Sequence, residues 1–168
     1  PYLVHWEMND GFARSSQLPG VAIPEASFMG TIGVAPSREL RQEILLREDE
    51  LLRRGGMVVG PTPAGAVPAQ EPFATEGLRT IPPREHGGNM DIIETCPGNT
   101  VYLPVYVEGA FLYLGDAHAA MGHGELSASG LEMPATTTIT VRLVKEKQIS
   151  WPRIESPSEI MTVVEQCS

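Results

Sequence analysis

The stretch TTTITVRLV, residues 136–144, alternates without a break: Thr137, Ile139, Val141 and Leu143 fall on one side of an extended chain, Thr138, Thr140 and Arg142 on the other. A period of two with β-branched residues is the signature of a strand half exposed to water or polar material. The reading extends outward in both directions. Thr100 to Val107 is again β-branched and aromatic, with Pro104 favouring an edge or bulge. Ala110 to Leu114 follows across Glu108-Gly109, a plausible two-residue hairpin turn. Glu159 to Val164 and the opening Tyr2-Leu3-Val4-His5-Trp6 read as further strands.

One segment breaks this pattern. From Arg38 to Arg54, Leu40, Ile44 and Leu51, with Leu45 and Leu52 beside them, recur at three-, four- and seven-residue spacing, which predicts an amphipathic helix. Ser37 can cap it, Glu39 suits its first turn, and Gly55-Gly56 stop it after Arg53 and Arg54. Residues 55–88 then carry Pro61, Pro63, Pro68, Pro72, Pro82 and Pro83, which forbid a long helix or central strand. A loop that long in a compact domain is often functional, and its polar end, Arg84 to Asp91, points to a site-forming loop. The expected fold is mainly β, a β-rich α+β arrangement of sandwich-like sheets with one amphipathic helix, forming a single domain over 1–168.

Composition narrows the partners. The 168 residues, 42% of them hydrophobic, support an ordinary packed core, and seventeen glycines with fifteen prolines make a loop-rich chain. Twelve basic against twenty-one acidic residues give a net charge of −9. Such a field repels nucleic-acid backbones and anionic membrane surfaces, so neither is expected as a partner. No apolar run is long enough to span a bilayer. Cys96 and Cys167 allow at most one internal disulfide and match no metal-type pair, so a reducing, cytoplasmic setting is expected.

The densest chemistry lies in Gly115-Asp116-Ala117-His118-Ala119-Ala120-Met121-Gly122-His123-Gly124-Glu125. Asp116 and His118, two apart on an extended chain, share a face, so a carboxylate oxygen and an imidazole nitrogen can converge. Gly122 and Gly124 can turn the chain so that Glu125 joins them. Three uses compete. A divalent cation would take Asp116 and His118 with His86 or Asp91 and activate water. A site without metal would use Glu125 or His118 as general base. In the third, Asp116 and His118 merely cap a turn and pair structurally. The second cluster, His86-Gly87-Gly88-Asn89-Met90-Asp91, becomes functional only if it meets the first in space, and Glu108 could be a further carboxylate from its turn.

Four blocks, in order, carry a resemblance: Ile32-Gly33-Val34-Ala35-Pro36, Pro82-Pro83-Arg84-Glu85-His86-Gly87-Gly88-Asn89-Met90-Asp91, Tyr102-Leu103-Pro104-Val105-Tyr106-Val107-Glu108-Gly109-Ala110, and Gly115-Asp116-Ala117-His118-Ala119-Ala120-Met121-Gly122. The chain resembles the acetamidase/formamidase family of small-amide hydrolases. That resemblance implies a β-rich homo-oligomer hydrolysing formamide, acetamide or a related amide to a carboxylate and ammonia, with a divalent metal ion, zinc or calcium. It also implies the site residues: Asp116, His118, His86 and Asp91 toward metal, and Glu125, Asn89 and Glu108 toward catalysis. Within the mechanism it suggests, Glu125 carries the proton and Asn89 stabilises the oxyanion. Two departures stand out. His123 replaces the acidic residue of a Gly-Asp-Gly-Glu pattern, and the chain looks like the C-terminal part of the family fold, so a separate N-terminal chain is an expected partner. The alternatives are a noncatalytic binding or scaffold relative, and a hydrolase of a different amide or cyclic imide.

Overall fold

A computed structural model of the chain describes residues 3–58 and 68–164. Its strands are β1 (Glu7–Asn9), β2 (Phe12–Arg14), β3 (Ala22–Pro24), β4 (Phe28–Gly33), β5 (Gly87–Asn89), β6 (Thr100–Tyr102), β7 (Tyr113–His118), β8 (Arg153–Glu155) and β9 (Ile160–Thr162). With them are the helices α1 (Arg38–Arg53) and α2 (Phe73–Glu76). The architecture is mainly β, as expected. Three antiparallel three-stranded sheets form, in the orders β1-β2-β3, β5-β4-β7 and β6-β8-β9.

The central sheet positions the site. β4 pairs β7 with Phe28 opposite His118 and Gly33 opposite Tyr113, and pairs β5 with Gly33 opposite Gly87 and Thr31 opposite Asn89. Residues far apart in sequence thereby become neighbours. The buried apolar set includes Phe28, Val34, Leu40, Ile44, Met90, Ala119 and Ile154.

The helix forms where the apolar period places it. Ser37 Oγ accepts from the Leu40 amide at 3.1 Å, satisfying one of the free donors of the first turn. Leu40 and Ile44 are buried, and so is Glu48, whose carboxylate meets the guanidinium of Arg79 at 2.8 Å and that of Arg84. Burial pushes the Glu48 carboxyl up, but hydrogen bonds and charge from the two arginines outweigh it and hold the group below its ordinary value. Arg47 and Glu85 add a bidentate pair at 2.5 and 2.9 Å. The helix is thus tied to the chain leading into β5.

Several expected strands differ. Residues 136–144 form no ladder, and every one of them is exposed: the alternation marks two faces, yet no described neighbour supplies the hydrogen bonds a strand requires. At the N-terminal end, pairing begins at Glu7, beyond the described part of the expected Tyr2–Trp6 strand; Tyr2 lies outside the described residues. The Glu108-Gly109 hairpin does not form. The turn there gives Gly109, Ala110 and Phe111 positive φ of 82°, 52° and 51°, and it delivers the chain to β7, which pairs with β4 instead of β6. β6 ends at Tyr102, before Pro104, and pairs with β8. The final expected strand appears as β9. Between residues 55 and 88 only the one-turn α2 is helical among the described residues, while Pro61 and Pro63 lie outside them. No helix of the described chain is long and apolar enough to cross a membrane. Cys96 is a free thiol, and Cys167 lies outside the described residues.

Candidate active site

His118, at the end of β7, is 1% exposed. Its ring stands edge-on to Phe28, with centroids 5.0 Å apart and planes at 81°. Gly130 covers another side so closely that a Cβ there would lie 2.9 Å from both Cγ and Nδ1 of the ring. The imidazole therefore has one fixed position. Its Nε2 lies 3.2 Å from Asp116 Oδ1 and 3.0 Å from Glu132 Oε1.

Asp91 arrives from the other side of β4. The amides of Met90 and Asp91 both donate to the Gly30 carbonyl at 3.0 Å, which turns the chain out of β5 and aims the aspartate at the strand centre. Asn89 holds it there. Its Nδ2 donates to Asp91 Oδ2 at 2.7 Å and to the Ile81 carbonyl at 3.1 Å, while its Oδ1 accepts from Thr31 Oγ1 at 3.0 Å. Both amide hydrogens of Asn89 are thereby used, so it positions Asp91 and has none left for an oxyanion in this arrangement.

Glu125 joins through the turn that the glycines permit, with its amide donating to the Gly122 carbonyl at 3.2 Å. Two groups result, each with ligand atoms within 4.8 Å of one another: Asp91, His118 and Glu125, and Asp116, His118 and Glu132. Gly30 is the floor between the aspartates. A Cβ there would sit 2.6 Å from Asp91 Oδ1 and 2.8 Å from Asp116 Oδ2.

The electrostatics follow from this crowding. Burial, then the charges of Glu125 and Asp116, push the Asp91 carboxyl from 3.8 up to about 6, with His118 opposing. Among the described residues Asp91 Oδ1 and His118 Nδ1 are buried without a hydrogen-bond partner. Asp91, Asp116 and Glu125 also adopt left-handed backbone, with φ of 48°, 62° and 42°. For residues other than glycine that conformation costs about 1–2 kcal/mol each, and its concentration at one place is typical of functional sites.

Five of the seven residues expected from sequence are brought together: Asp116, His118, Asp91, Glu125 and Asn89. His86 is not. It sits on the Arg84–Gly87 turn beside the Gly33 end of β4, whereas His118 faces the Phe28 end, roughly 16 Å away at about 3.3 Å per residue. Burial lowers its pKa, which keeps it neutral. Glu108 lies exposed in the turn before β7 and belongs to neither group. His123 also points away: its side chain is 75% exposed, with Glu94 3.9 Å from Nε2. Sequence reasoning missed Gly30, Thr31 and Glu132. Thr31 and Gly30 lie in an apolar run with no polar signal, and Glu132 lies between apolar neighbours, beyond the glycine-punctuated motif.

Fold and site together define a β-rich protein with a carboxylate–imidazole centre built across one sheet. A family model described as the acetamidase/formamidase family matches residues 1–164. The formamidase of Methylophilus methylotrophus is 36% identical over 153 residues, covering 84% of this chain and 38% of that protein. The acetamidase of Mycolicibacterium smegmatis is 33% identical over 156 residues, covering 86% and 38% respectively. Among solved structures, a gamma lactamase from Delftia acidovorans superposes with a TM-score of 0.75 at 32% identity, over 90% of this chain and 41% of that one. This chain belongs to the acetamidase/formamidase family, and it spans less than two fifths of the length of these two curated relatives.

Proposed function

We propose that the chain serves the hydrolysis of short linear amides of the formamide and acetamide type, releasing ammonia and a carboxylate with the help of a divalent cation, zinc or calcium. One observation carries this reading: four carboxylates, from Asp91, Asp116, Glu125 and Glu132, gather round one buried imidazole. The donor set fits a cation. Like charges held this close are stable only if neutralised, and Asp91 Oδ1 is buried with no donor among the described residues. Carboxylate oxygens with one imidazole suit calcium by their oxygen and zinc by their nitrogen. Asp116, His118 and Asp91 would hold it, without His86. When bound, such a cation polarises the amide carbonyl and eases loss of a proton from water.

The residues of the chain do the rest. Glu125 accepts the proton of the attacking water and delivers it to the nitrogen as the carbon–nitrogen bond breaks. Asn89 keeps Asp91 in place, its Nδ2 donating to Asp91 Oδ2. Backbone amides of the glycine-rich loops take the oxyanion role that Asn89 is too engaged to fill. The test is ammonia release from formamide and acetamide before and after chelation, with restoration by zinc or calcium and with Glu125→Gln in parallel. Full activity in the chelated protein removes the metal, and full activity in the variant removes Glu125.

The likeness to a protein named gamma lactamase supports a second reading, in which the amide is cyclic. A γ-lactam in the same assay separates the two. The exposed apolar residues Ile139, Val141, Leu143 and Val144, in a segment without a ladder, support association with further chains, as a homo-oligomer or with a separate N-terminal chain. A cytoplasmic setting, in which Cys96 stays a thiol, agrees with this chemistry.

A further inference from the structure

We propose that Glu132 is a ligand of the cation at this site, an inference that rests on the metal-assisted reading above. The residues Gly130 to Met133 run antiparallel to β7. The Ala119 amide donates to the Leu131 carbonyl at 2.7 Å, the Leu131 amide to Ala120 at 2.9 Å, and the Met133 amide to Ala117 at 3.0 Å. Those bonds place Glu132 directly opposite His118, with both side chains on one face. The carboxylate is pinned further by the Gly130 amide, which donates to Oε1 at 3.2 Å. Glu132 is thus held before any ligand arrives.

Proton counting distinguishes a ligand from a simple ion-pair partner. Nε2 of an imidazole carries at most one hydrogen, in either the neutral or the charged ring. Two carboxylate oxygens face it, Asp116 Oδ1 at 3.2 Å and Glu132 Oε1 at 3.0 Å, so the ring can donate a full hydrogen bond to only one of them. A cation among the three atoms satisfies both oxygens and the ring lone pair together. The opposite edge of the ring offers no alternative use, because Nδ1 is buried without a partner among the described residues. Glu132 is also 53% exposed, so its loss does not empty the core.

The experiment is titration of the 168-residue chain with Co²⁺, followed by absorption, in the parent and in Glu132→Gln, Glu132→Cys and Glu7→Cys. The expected result is a Co²⁺ affinity at least about tenfold weaker in Glu132→Gln, the lower end of what even indirect support of a metal ligand is worth, with a melting temperature near that of the parent in chelator. Glu132→Cys should show a thiolate-to-cobalt charge-transfer band absent from the parent and from Glu7→Cys, whose added thiol lies on β1. An unchanged affinity in Glu132→Gln overturns the inference. Weakened affinity without the band in Glu132→Cys also overturns it, leaving Glu132 a positioning residue for His118. A parent chain that takes up no Co²⁺ overturns the metal reading itself, while ammonia release scores the hydrolysis reading separately.

Discussion

Replacing Gly30 by alanine tests whether the two aspartates work as one site. In the register of β4 and β7 Gly30 stands opposite Asp116, between the Met29–Ala117 and Thr31–Gly115 pairs. A methyl group there would lie 2.6 Å from Asp91 Oδ1, 2.8 Å from Asp116 Oδ2 and 2.9 Å from the Asp116 carbonyl oxygen. Carbon and oxygen settle at about 3.3 Å or beyond, so the neighbours must retreat by about 0.4–0.7 Å. Overpacking of this kind costs about 1–3 kcal/mol, offset by about 0.5–1 kcal/mol because alanine loses less backbone freedom than glycine. A net loss of about 1–2 kcal/mol lowers the melting temperature by about 2–8 °C for a chain of this size. The functional loss should be far larger, on the order of a hundredfold, because displacement by about an ångström has that effect on reacting groups. Cation affinity, ammonia release and a thermal melt, measured together, separate the two effects. Gly115→Ala, whose Cβ meets nothing within 4 Å, is the control for the strand. Affinity and activity within twofold of the parent in Gly30→Ala would refute the geometry assigned to Asp91 and Asp116.

The pH dependence of Asp91 has a definite sign. Its folded pKa is raised to about 6, so the folded state binds the proton more tightly than the unfolded one, and stability falls as pH rises from about 4 to about 6. In chelator, Asp91→Asn should remove that slope and melt higher than the parent at pH 7; parallel melting curves across this range would contradict it. Glu48 behaves in the opposite sense: its carboxylate is held below the ordinary range, so its contribution is present at neutral pH and lost on acidification. Glu48→Gln removes the carboxylate that Arg79 and Arg84 both meet, and breaking a buried pair of this kind should cost about 3–5 kcal/mol at pH 7 in denaturant unfolding. A cost under 1 kcal/mol would show the triad to be dispensable. Val141 and Leu143 are 68% and 69% exposed, so Val141→Asp with Leu143→Asp should leave the melting temperature unchanged while abolishing association in sedimentation. A parent chain that sediments as a monomer alone at all concentrations would refute the association.

What was legible in the sequence was local. The helix could be read because Leu40 and Ile44 repeat at its own period and Ser37 caps it within four residues. The Asp116–His118 pair could be read because two residues on one strand need no partner to share a face. What failed was pairing. Residues 136–144 have the alternation of a strand, but a ladder is a relation between two chains, and one pattern cannot name the other. β7 likewise passes over the adjacent β6 to pair with β4, some 85 positions away. His86 adjoins the Gly-Gly-Asn turn in sequence, but the pairing of β5 with β4 keeps it at the strand's far end.

The residues that escaped detection are those whose role is geometric. Gly30 matters through the side chain it lacks, Thr31 through a hydroxyl that steadies Asn89, and Glu132 through a cross-strand position fixed by three main-chain hydrogen bonds. The acids they serve are costly to keep. Three of them sit in left-handed backbone, burial and mutual repulsion raise Asp91, and one ring nitrogen and one carboxyl oxygen are buried without partners among the described residues. A structural hydrogen-bond cluster relieves such costs by pairing acids with donors, as Glu48 does with Arg79 and Arg84. At His118 the chain supplies more acceptors instead of donors. That surplus of acceptors is what the proposed cation would balance, which makes chelation the sharper test of the site than any change to the imidazole alone.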